Sequence, residues 1–248
     1  MSFTPLVSYE GANSGRGLSP GLWAKQPRDF QDLSVGFGFI DDFLSFDDAS
    51  VRWLLTQASA GTAACDVAAK GGVLLLDSAS STNNQGAQLQ LGGAAAASSF
   101  IASATSKIYY EARVKLADIG STTVQFFAGL SEIDSTLFAS AANSSANHVG
   151  AEAINTTALG VHSEKAGSRS SSASVHTIAD GTYFKIGFVI DGVSKVTPYV
   201  NGEAKTAITT NVPIVELTPS FVCHSSGTTD PILHIDWVAC YQEEQIDN

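Results

Sequence analysis

The segment GLSEIDSTLF, residues 129–138, contains two carboxylates, Glu132 and Asp134, two positions apart. Residues two apart on a β-strand point to the same face of the sheet. A pair of carboxylates facing one space can supply the acid and the nucleophile of retaining glycoside hydrolysis, where the two groups lie about 5 to 5.5 Å apart. The segment therefore raises the hypothesis of a sugar-cleaving enzyme.

Other residue types that carry chemistry do not form a recognisable pattern. The acidic side chains that could offer oxygen ligands to calcium are Asp41, Asp42, Asp47 and Asp48. Their spacing lacks the carbonyl donors of a calcium loop, so a solvated strand edge is favoured. The histidines are dispersed, at His148, His162, His176, His224 and His234. Without a nucleophile elbow no Ser-His-Asp triad is indicated. Without a CxxC or His/Cys cluster no metal site is predicted.

Two sets of residues are predicted to be buried instead of reactive. The three cysteines, Cys65, Cys223 and Cys240, are too few for a disulfide scaffold and are interpreted as buried thiols. A pairing of Cys223 with Cys240 on neighbouring strands stays open. Trp53, Tyr183 and Trp237 could form a sugar-stacking platform, but aromatic residues inside strand patterns more often belong to the core.

The composition favours an all-β fold and argues against nucleic acid and membranes as partners. The 248 residues are 44% apolar and 15% charged, which is ample for a core, and they are rich in Gly, Ser, Thr and Ala. The formal net charge is -11 and the 13 basic residues are scattered, so nucleic acid is not expected as a partner. The N-terminus lacks a secretory signal, and no stretch reaches membrane-spanning length. No cofactor is predicted.

Residues 1–38 are expected to form an extended N-terminal arm instead of a domain. This region contains Pro5, Pro20 and Pro27 and has apolar residues without a period of 2 or 3.6. Its apolar side chains are too numerous for a solvated tail. The arm is therefore predicted to dock either on its own domain or on a neighbouring subunit. The side chains expected to make contact are Phe3, Leu6, Tyr9, Leu22, Trp23 and Phe30.

Residues 39–248 show about a dozen short strand patterns separated by turn residues. Alternation is clearest in KIYYEARVKL, residues 107–116, where Ile108, Tyr110 and Ala112 belong to the face predicted to be core. Ser/Ala/Asn-rich segments such as SEKAGSRSSSAS are interpreted as loops. With no credible long helix, two antiparallel sheets packed face to face are predicted, as in a jelly-roll sandwich.

Three stretches together resemble a known family. KIYYEARVKL, DGTYFKIGFVIDG leading into VTPYVNGE, and the closing LHIDWVACYQ are similar in order and spacing to the concanavalin-A-like, laminin-G-like jelly roll. The Asn201-Gly202 and Asp191-Gly192 pairs fit its tight hairpin turns. The resemblance covers about residues 38–242 and implies the fold. It does not imply one function, because this fold supports lectins, glycosidases, receptor modules and virion parts.

The resemblance also bears on the hypothesis of a sugar-cleaving enzyme. Laminarinase-type hydrolases of this superfamily carry Glu-x-Asp-x-x-Glu or Glu-x-Asp-x-Glu on one strand. Glu132 and Asp134 match the first two positions, but Thr136 or Leu137 occupies the third. The general acid is therefore missing, and the chain is predicted to have no catalytic residues. Glu132 and Asp134 are interpreted as the polar end of a strand that runs into a loop.

An apolar arm before an acidic jelly roll without catalytic residues resembles the design of capsid decoration, or cement, proteins of tailed bacteriophages. The resemblance implies a non-enzymatic virion protein on the capsid exterior, assembled in the host bacterial cytoplasm. Its expected partners are the major capsid protein and itself, as a homotrimer. The arm would bridge capsid subunits and bury its apolar anchors there.

A second interpretation belongs to a different class of function. The sandwich would be a carbohydrate-binding module of a phage tail appendage or of a bacterial surface protein. Loops at one rim would then hold a surface glycan. Binding to glycans would favour this alternative, and attachment to capsid shells would favour the first.

Overall fold

A computed structural model describes residues 15–24, 26, 35–47, 52–92, 100–119, 124–139, 142–143 and 147–243. It confirms the all-β prediction, because the described residues form antiparallel strands and one short helix, α1. Helix α1 spans Pro20–Trp23. The strands are β1 Gly36–Asp41, β2 Trp53–Ala58, β3 Thr62–Cys65, β4 Leu74–Asp77, β5 Gly86–Leu91, β6 Lys107–Ala117, β7 Val124–Ser131, β8 Phe138–Ala139, β9 Ala142–Asn143, β10 His148–Thr156, β11 Ala158–Lys165, β12 Ser168–Thr177, β13 Phe184–Asp191, β14 Lys195–Val200, β15 Glu203–Ala204, β16 Thr218–His224 and β17 Ile232–Glu243.

The strands form two large sheets, as the predicted sandwich requires. The eight-stranded sheet has the order β15-β14-β13-β6-β17-β4-β3, and β1 also pairs with β17. The seven-stranded sheet has the order β12-β11-β10-β7-β16-β5-β2. Within the described part of the chain, β8 and β9 form a separate small hairpin. Most neighbours in each sheet are distant in sequence, which is typical of a jelly roll.

The core lies between the two sheets and follows the period-2 pattern. Ile108, Tyr110 and Ala112 are fully buried there, as the alternation in β6 predicts. On the facing sheet, Ala87, Leu89 and Leu91 of β5 also point into the core, so Gln88 and Gln90 point to the outer face. Side chains that alternate with these core residues lie on the outer faces of the two sheets.

The hairpin turns agree with the prediction from the Asn-Gly and Asp-Gly pairs. Asn201 and Gly202, between β14 and β15, both have positive φ, at 49° and 83°. Gly192, after β13, has a φ of 64°. Left-handed backbone of this kind has a small conformational cost for Gly and Asn, and it allows a tight reversal of the chain.

The loop prediction for SEKAGSRSSSAS is wrong, because most of this segment lies in β11 and β12. β12 pairs only with β11 in the described structure and is largely exposed. An edge strand of this kind can consist of Ser and Arg because few of its side chains are buried, which removes the apolar alternation. β1 begins at Gly36, inside the segment predicted to be the arm. No helix in the described ranges has the length and hydropathy to cross a membrane.

Candidate functional site

Residues 15–24, called the strap from here on, lie on the outer face of the eight-stranded sheet. Leu22 and Trp23 are 0% and 4% exposed, and they pack with aromatic and aliphatic side chains of that sheet. Leu22 and Trp23 therefore dock on the chain's own domain, which is one of the two alternatives predicted for the arm. In this arrangement they are not available as anchors for another protein. The remaining predicted anchors, Phe3, Leu6, Tyr9 and Phe30, lie outside the described residues.

Two buried carboxylates hold the strap. Glu111 Oε2 accepts hydrogen bonds from the Ser19 backbone N–H (2.9 Å) and from Trp23 Nε1 (2.8 Å). Burial raises the pKa of Glu111, and the hydrogen bonds from Ser19 and Trp23 oppose that rise by stabilising the carboxylate. Asp236, which is 1% exposed, accepts from Arg16 Nη2 at 2.7 Å and from Arg113 Nη1 at 2.5 Å. The strap is thus fixed at both ends by charge-assisted hydrogen bonds.

The sheet provides space for the strap at two glycines. A Cβ added at Gly187 would lie 2.6 Å from Leu22 Cδ1, so the missing side chain leaves the hole that Leu22 fills. A Cβ added at Gly21 would collide with the Gly202 carbonyl oxygen, so α1 rests directly on the hairpin turn. Trp23 stacks on Tyr109, with ring centroids 5.9 Å apart. These contacts make the strap an integral layer of the fold.

The part of GLSEIDSTLF that follows β7, residues 132–138, lies across the middle of the seven-stranded sheet's outer face. Gln90 Oε1 accepts from the Asp134 N–H (3.0 Å), and Gln90 Nε2 donates to the Glu132 carbonyl (2.9 Å). Gln88 Oε1 accepts from the Leu137 N–H at 2.7 Å. Leu137 is fully buried on this face. The sheet therefore uses its outward glutamines to bind the protein's own backbone.

The structure places Glu132 and Asp134 after the strand, since β7 ends at Ser131. The Glu132 carboxylate accepts from Asn147 Nδ2 at 2.8 Å. Asp134 Oδ1 accepts from the Thr136 N–H at 2.8 Å, which is a local turn contact. Both carboxylates thus bind neighbouring loops, in agreement with the interpretation of this stretch as a strand end.

A pocket of about 210 Å³ opens on this face beside the segment 132–138. Strands β2 and β5 contribute Thr56, Gln57 and Gln88 to its lining, the crossing segment contributes Ser135, Thr136 and Phe138, and β16 contributes His224. The named lining groups are hydroxyls, amides, one aromatic ring and one imidazole. None of the lining residues carries a carboxylate, ammonium or guanidinium group. The pocket is therefore suited to a neutral, hydrogen-bonding ligand.

His224 is the most unusual group of this pocket. It is 3% exposed, and its ring lies edge-on to Phe138 with centroids 6.1 Å apart. Burial lowers the pKa of His224 to about 4, so the imidazole is neutral at pH 7. Among the described residues, its Nδ1 atom has no hydrogen-bond partner. A buried polar atom without a partner costs about 1 to 3 kcal/mol.

The opposite end of the same face carries a charged cluster on β10, β11 and β12. Arg169 contacts two carboxylates: its Nε donates to Glu164 Oε2 at 2.8 Å and its Nη1 to Glu152 Oε1. Burial opposes the Arg169 charge, but the two carboxylates outweigh it and raise its pKa. His162 Nε2 lies 3.5 Å from Glu152 Oε1, and burial lowers the pKa of His162 to about 4, so this imidazole is neutral at pH 7. The cluster ties the edge strand to the sheet.

We expect Arg169→Ala to lower the free energy of unfolding by about 2 kcal/mol, because it leaves Glu152 and Glu164 buried without their cation. The value is below that of a fully buried pair because the Arg169 side chain is 31% exposed. Arg52→Ala is the matched control, because the Arg52 side chain is 56% exposed and its ion pair with Asp41 is long, at 3.7 Å. Urea unfolding of the three chains measures the difference. Equal midpoints for the Arg169→Ala and Arg52→Ala chains would contradict a structural role for the cluster.

Asp41, Trp53 and the cysteines, which the sequence singled out, have structural roles. Asp41 is not a solvated edge residue: its carboxylate accepts from the Phe43 N–H and from Trp53 Nε1, both at 2.9 Å. Trp53 is a core residue, as favoured. All three cysteines are free thiols; Cys223 and Cys240 are buried, whereas Cys65 is only partly buried. In the described ranges, no three His, Cys, Asp or Glu side chains are arranged to hold a metal ion.

Comparisons with known proteins identify the architecture. No protein-family model and no curated protein sequence matches the chain. Solved structures that match include a protein of unknown function from Shewanella oneidensis MR-1 (13% identity, 86% of this chain and 90% of that chain, TM-score 0.60). Peanut lectin matches at 13% identity over 86% of this chain and 99% of that chain, with a TM-score of 0.55. Endo-1,3-β-glucanase from Streptomyces sioyaensis matches at 13% identity, 84% and 96% coverage, and a TM-score of 0.57. The fold is therefore the predicted concanavalin-A-like jelly-roll sandwich, which the matching lectin and glucanase structures share.

Proposed function

We propose that the chain is a non-catalytic glycan-binding protein that holds one neutral sugar unit in the pocket beside His224. The observation that carries this proposal is the pocket lining, which combines serine and threonine hydroxyls, the Phe138 ring and the neutral His224 imidazole without a charged side chain. A neutral imidazole carries one donor and one acceptor nitrogen and adds no charge to the lining, and a sugar hydroxyl can donate or accept. A charged ligand would find no counter-ion in the lining.

The size and shape of the pocket also favour one sugar unit. A volume of about 210 Å³ lies below the roughly 300 to 1,000 Å³ of sites for drug-sized ligands, which favours a single small ring. Phe138 provides an apolar wall against which the C–H face of a sugar ring can pack. The similarity to a lectin and a glucanase supports a carbohydrate ligand for this type of sandwich, although it fixes only the fold.

The absence of catalysis is part of the proposal. The carboxylates of Glu132 and Asp134 bind Asn147 and Thr136, and no carboxylate lines the pocket. Hydrolysis of a glycoside by the common mechanism needs two carboxyl groups on opposite sides of the scissile bond. A sugar in this pocket would therefore be held without being cleaved.

Glycan-array screening of the intact protein, followed by calorimetric titration of a bound glycan, tests the proposal. Ser135→Trp places a large side chain at the exposed wall of the pocket and is expected to weaken binding at least 10-fold. Ser168→Trp is the matched control, because Ser168 is exposed on β12 at the opposite edge of the sheet. This control should bind like the parent chain.

Two results would overturn the glycan proposal. One is the failure of the parent chain to bind any glycan on the array. The other is a glycan that binds the Ser135→Trp chain as tightly as the parent. Conversion of a bound oligosaccharide to shorter products would overturn the non-catalytic part alone.

The second candidate function is the capsid decoration role, in which the protein joins the major capsid protein on the exterior of a phage head as a homotrimer. One observation favours it: the strap is held at Arg16 and Ser19 on the outer face of the sandwich, so the preceding residues, which include Phe3, Leu6 and Tyr9, are attached to a firmly held point. An anchor segment transmits force between capsid subunits only if its base is held firmly.

The strap changes the deletion that tests this second candidate. Removal of residues 1–14 spares the strap and should abolish addition of the protein to purified shells that lack it. Removal of residues 1–38 would also take away the strap and part of β1, so it would confuse loss of attachment with loss of folding. Undiminished attachment of the chain without residues 1–14 would argue against the bridging role.

A further inference from the structure

The sheet surface beneath the strap has the composition of a recognition site. It presents two carboxylates, Glu111 and Asp236, each 1% exposed when the strap is in place, within an apolar surround. The side chains of this surround that pack with the strap are Tyr109, Val189, Tyr199, Trp237, Ala239 and Tyr241. Aromatic side chains flanking a few buried charges are typical of protein–protein hot spots. A solvated sheet face would instead carry scattered charges.

Both carboxylates and the Trp237 indole of this surface bind groups of the strap. Glu111 accepts from a backbone N–H and from the Trp23 indole, and Asp236 accepts from the Arg16 guanidinium. The Trp237 indole in turn donates to the Arg16 carbonyl at 2.5 Å. Without an occupant, water would replace the two donors of Glu111 and the apolar side chains around it would be exposed, which is unfavourable. The surface is therefore complementary to RGLSPGLW, residues 16–23.

None of these contacts depends on which chain supplies the strap. The chain between Ala24 and Val35 can span at most about 35 to 40 Å when extended. The strap can therefore reach a second copy whose surface around Glu111 lies within that distance of Val35. We infer that the surface around Glu111 and Asp236 also accepts the strap of a second copy, so that crowded copies join by exchanging straps. Exchange of an identical element costs little because the contacts are the same in both arrangements.

A pair of full-length variants tests the exchange by complementation. The strap variant, Leu22→Ala with Trp23→Ala, keeps the site and loses the anchors. The site variant, Glu111→Lys, keeps the strap and places a cation where the Ser19 N–H and the Trp23 indole must bind. Each variant alone should be monomeric by native mass spectrometry. Their mixture should give a heterodimer, because the site of one accepts the strap of the other.

Controls make the outcome specific. A chain with all three substitutions has neither strap nor site and should form no heterodimer with the strap variant. Circular dichroism establishes that each chain is folded before mixing. Absence of the heterodimer at about 100 µM of each folded variant would overturn the inference.

A second measurement applies if the strap variant does not fold. A fluorescent peptide of residues 14–26 is titrated into the parent chain, where it competes with the strap already in place. Because an attached segment has an effective concentration of about millimolar, saturation is expected only in that range. Saturable binding to the parent and none to the Glu111→Lys chain would support recognition in trans. No binding to the parent would overturn it.

Discussion

Trp23→Ala is expected to lower the free energy of unfolding by about 3 kcal/mol, the lower end of the cost of removing a buried Trp. The side chain is 4% exposed, stacks on Tyr109 and donates to Glu111, so its loss removes apolar burial and leaves a buried carboxylate with one donor fewer. The lower end applies because the strap is a surface layer that can settle into the space. Urea unfolding gives the change as a shift of midpoint at constant slope.

Two control chains separate the contributions of the ring and of the indole N–H. Trp23→Phe keeps an aromatic ring over Tyr109 but loses the donor and part of the buried indole, so a cost of about 2 kcal/mol, below that of Trp23→Ala, is expected. Val67→Ala changes a fully exposed side chain and should shift the midpoint by less than about 0.5 kcal/mol. A midpoint for Trp23→Ala equal to that of Val67→Ala would mean that the strap is not seated on the sheet in solution.

The sandwich could be predicted because its signals are local. In β6, residues two apart share a face, and the apolar set Ile108, Tyr110 and Ala112 identifies the core without knowledge of the partner strands. The Asn201-Gly202 turn is equally local, because its positive φ values depend on two residues alone. Where the period failed, as in β12, the strand lies at an edge and buries too few side chains to leave a pattern.

The layers on the outer faces could not be predicted in the same way. Tyr109 and Glu111 alternate with core residues and therefore look solvent-facing, yet both are buried because the strap covers them. The strap and its sheet are separated by about ninety residues of sequence, so no local period connects them. One available signal was the pair Phe126-Phe127 in β7: consecutive large apolar residues indicate a strand buried on both faces.

The candidate pocket illustrates the same limit for function. Thr56, Gln88, Ser135 and His224 come from three strands and a crossing segment, and only the sheet order brings them together. Glu132 and Asp134, which match part of a catalytic pattern, instead fix the loop that forms one wall. A motif lacking its third member was therefore correctly interpreted as a strand end. The groups most suited to a ligand carried no motif at all.

Acidification is expected to destabilise the protein between about pH 6.5 and pH 4 through two buried histidines. Burial lowers the pKa values of His162 and His224 to about 4 from 6.5, so over this range the unfolded chain binds protons that the folded chain does not. The free energy of unfolding therefore falls as the pH falls. Each histidine contributes on the order of 3 kcal/mol at most.

Comparison of the parent with the His162→Gln, His224→Gln double variant isolates this effect, because the two chains share every other titrating group. Urea midpoints at pH 7, 5 and 4 should fall steeply for the parent and less steeply for the variant, whose stability at pH 7 will itself be changed by the substitutions. The difference in slope is the quantity that matters, since glutamine cannot bind a proton. Identical slopes would mean that both imidazoles titrate near pH 6.5 in the folded chain. The His224 imidazole would then not be the buried group that the structure places in the pocket wall.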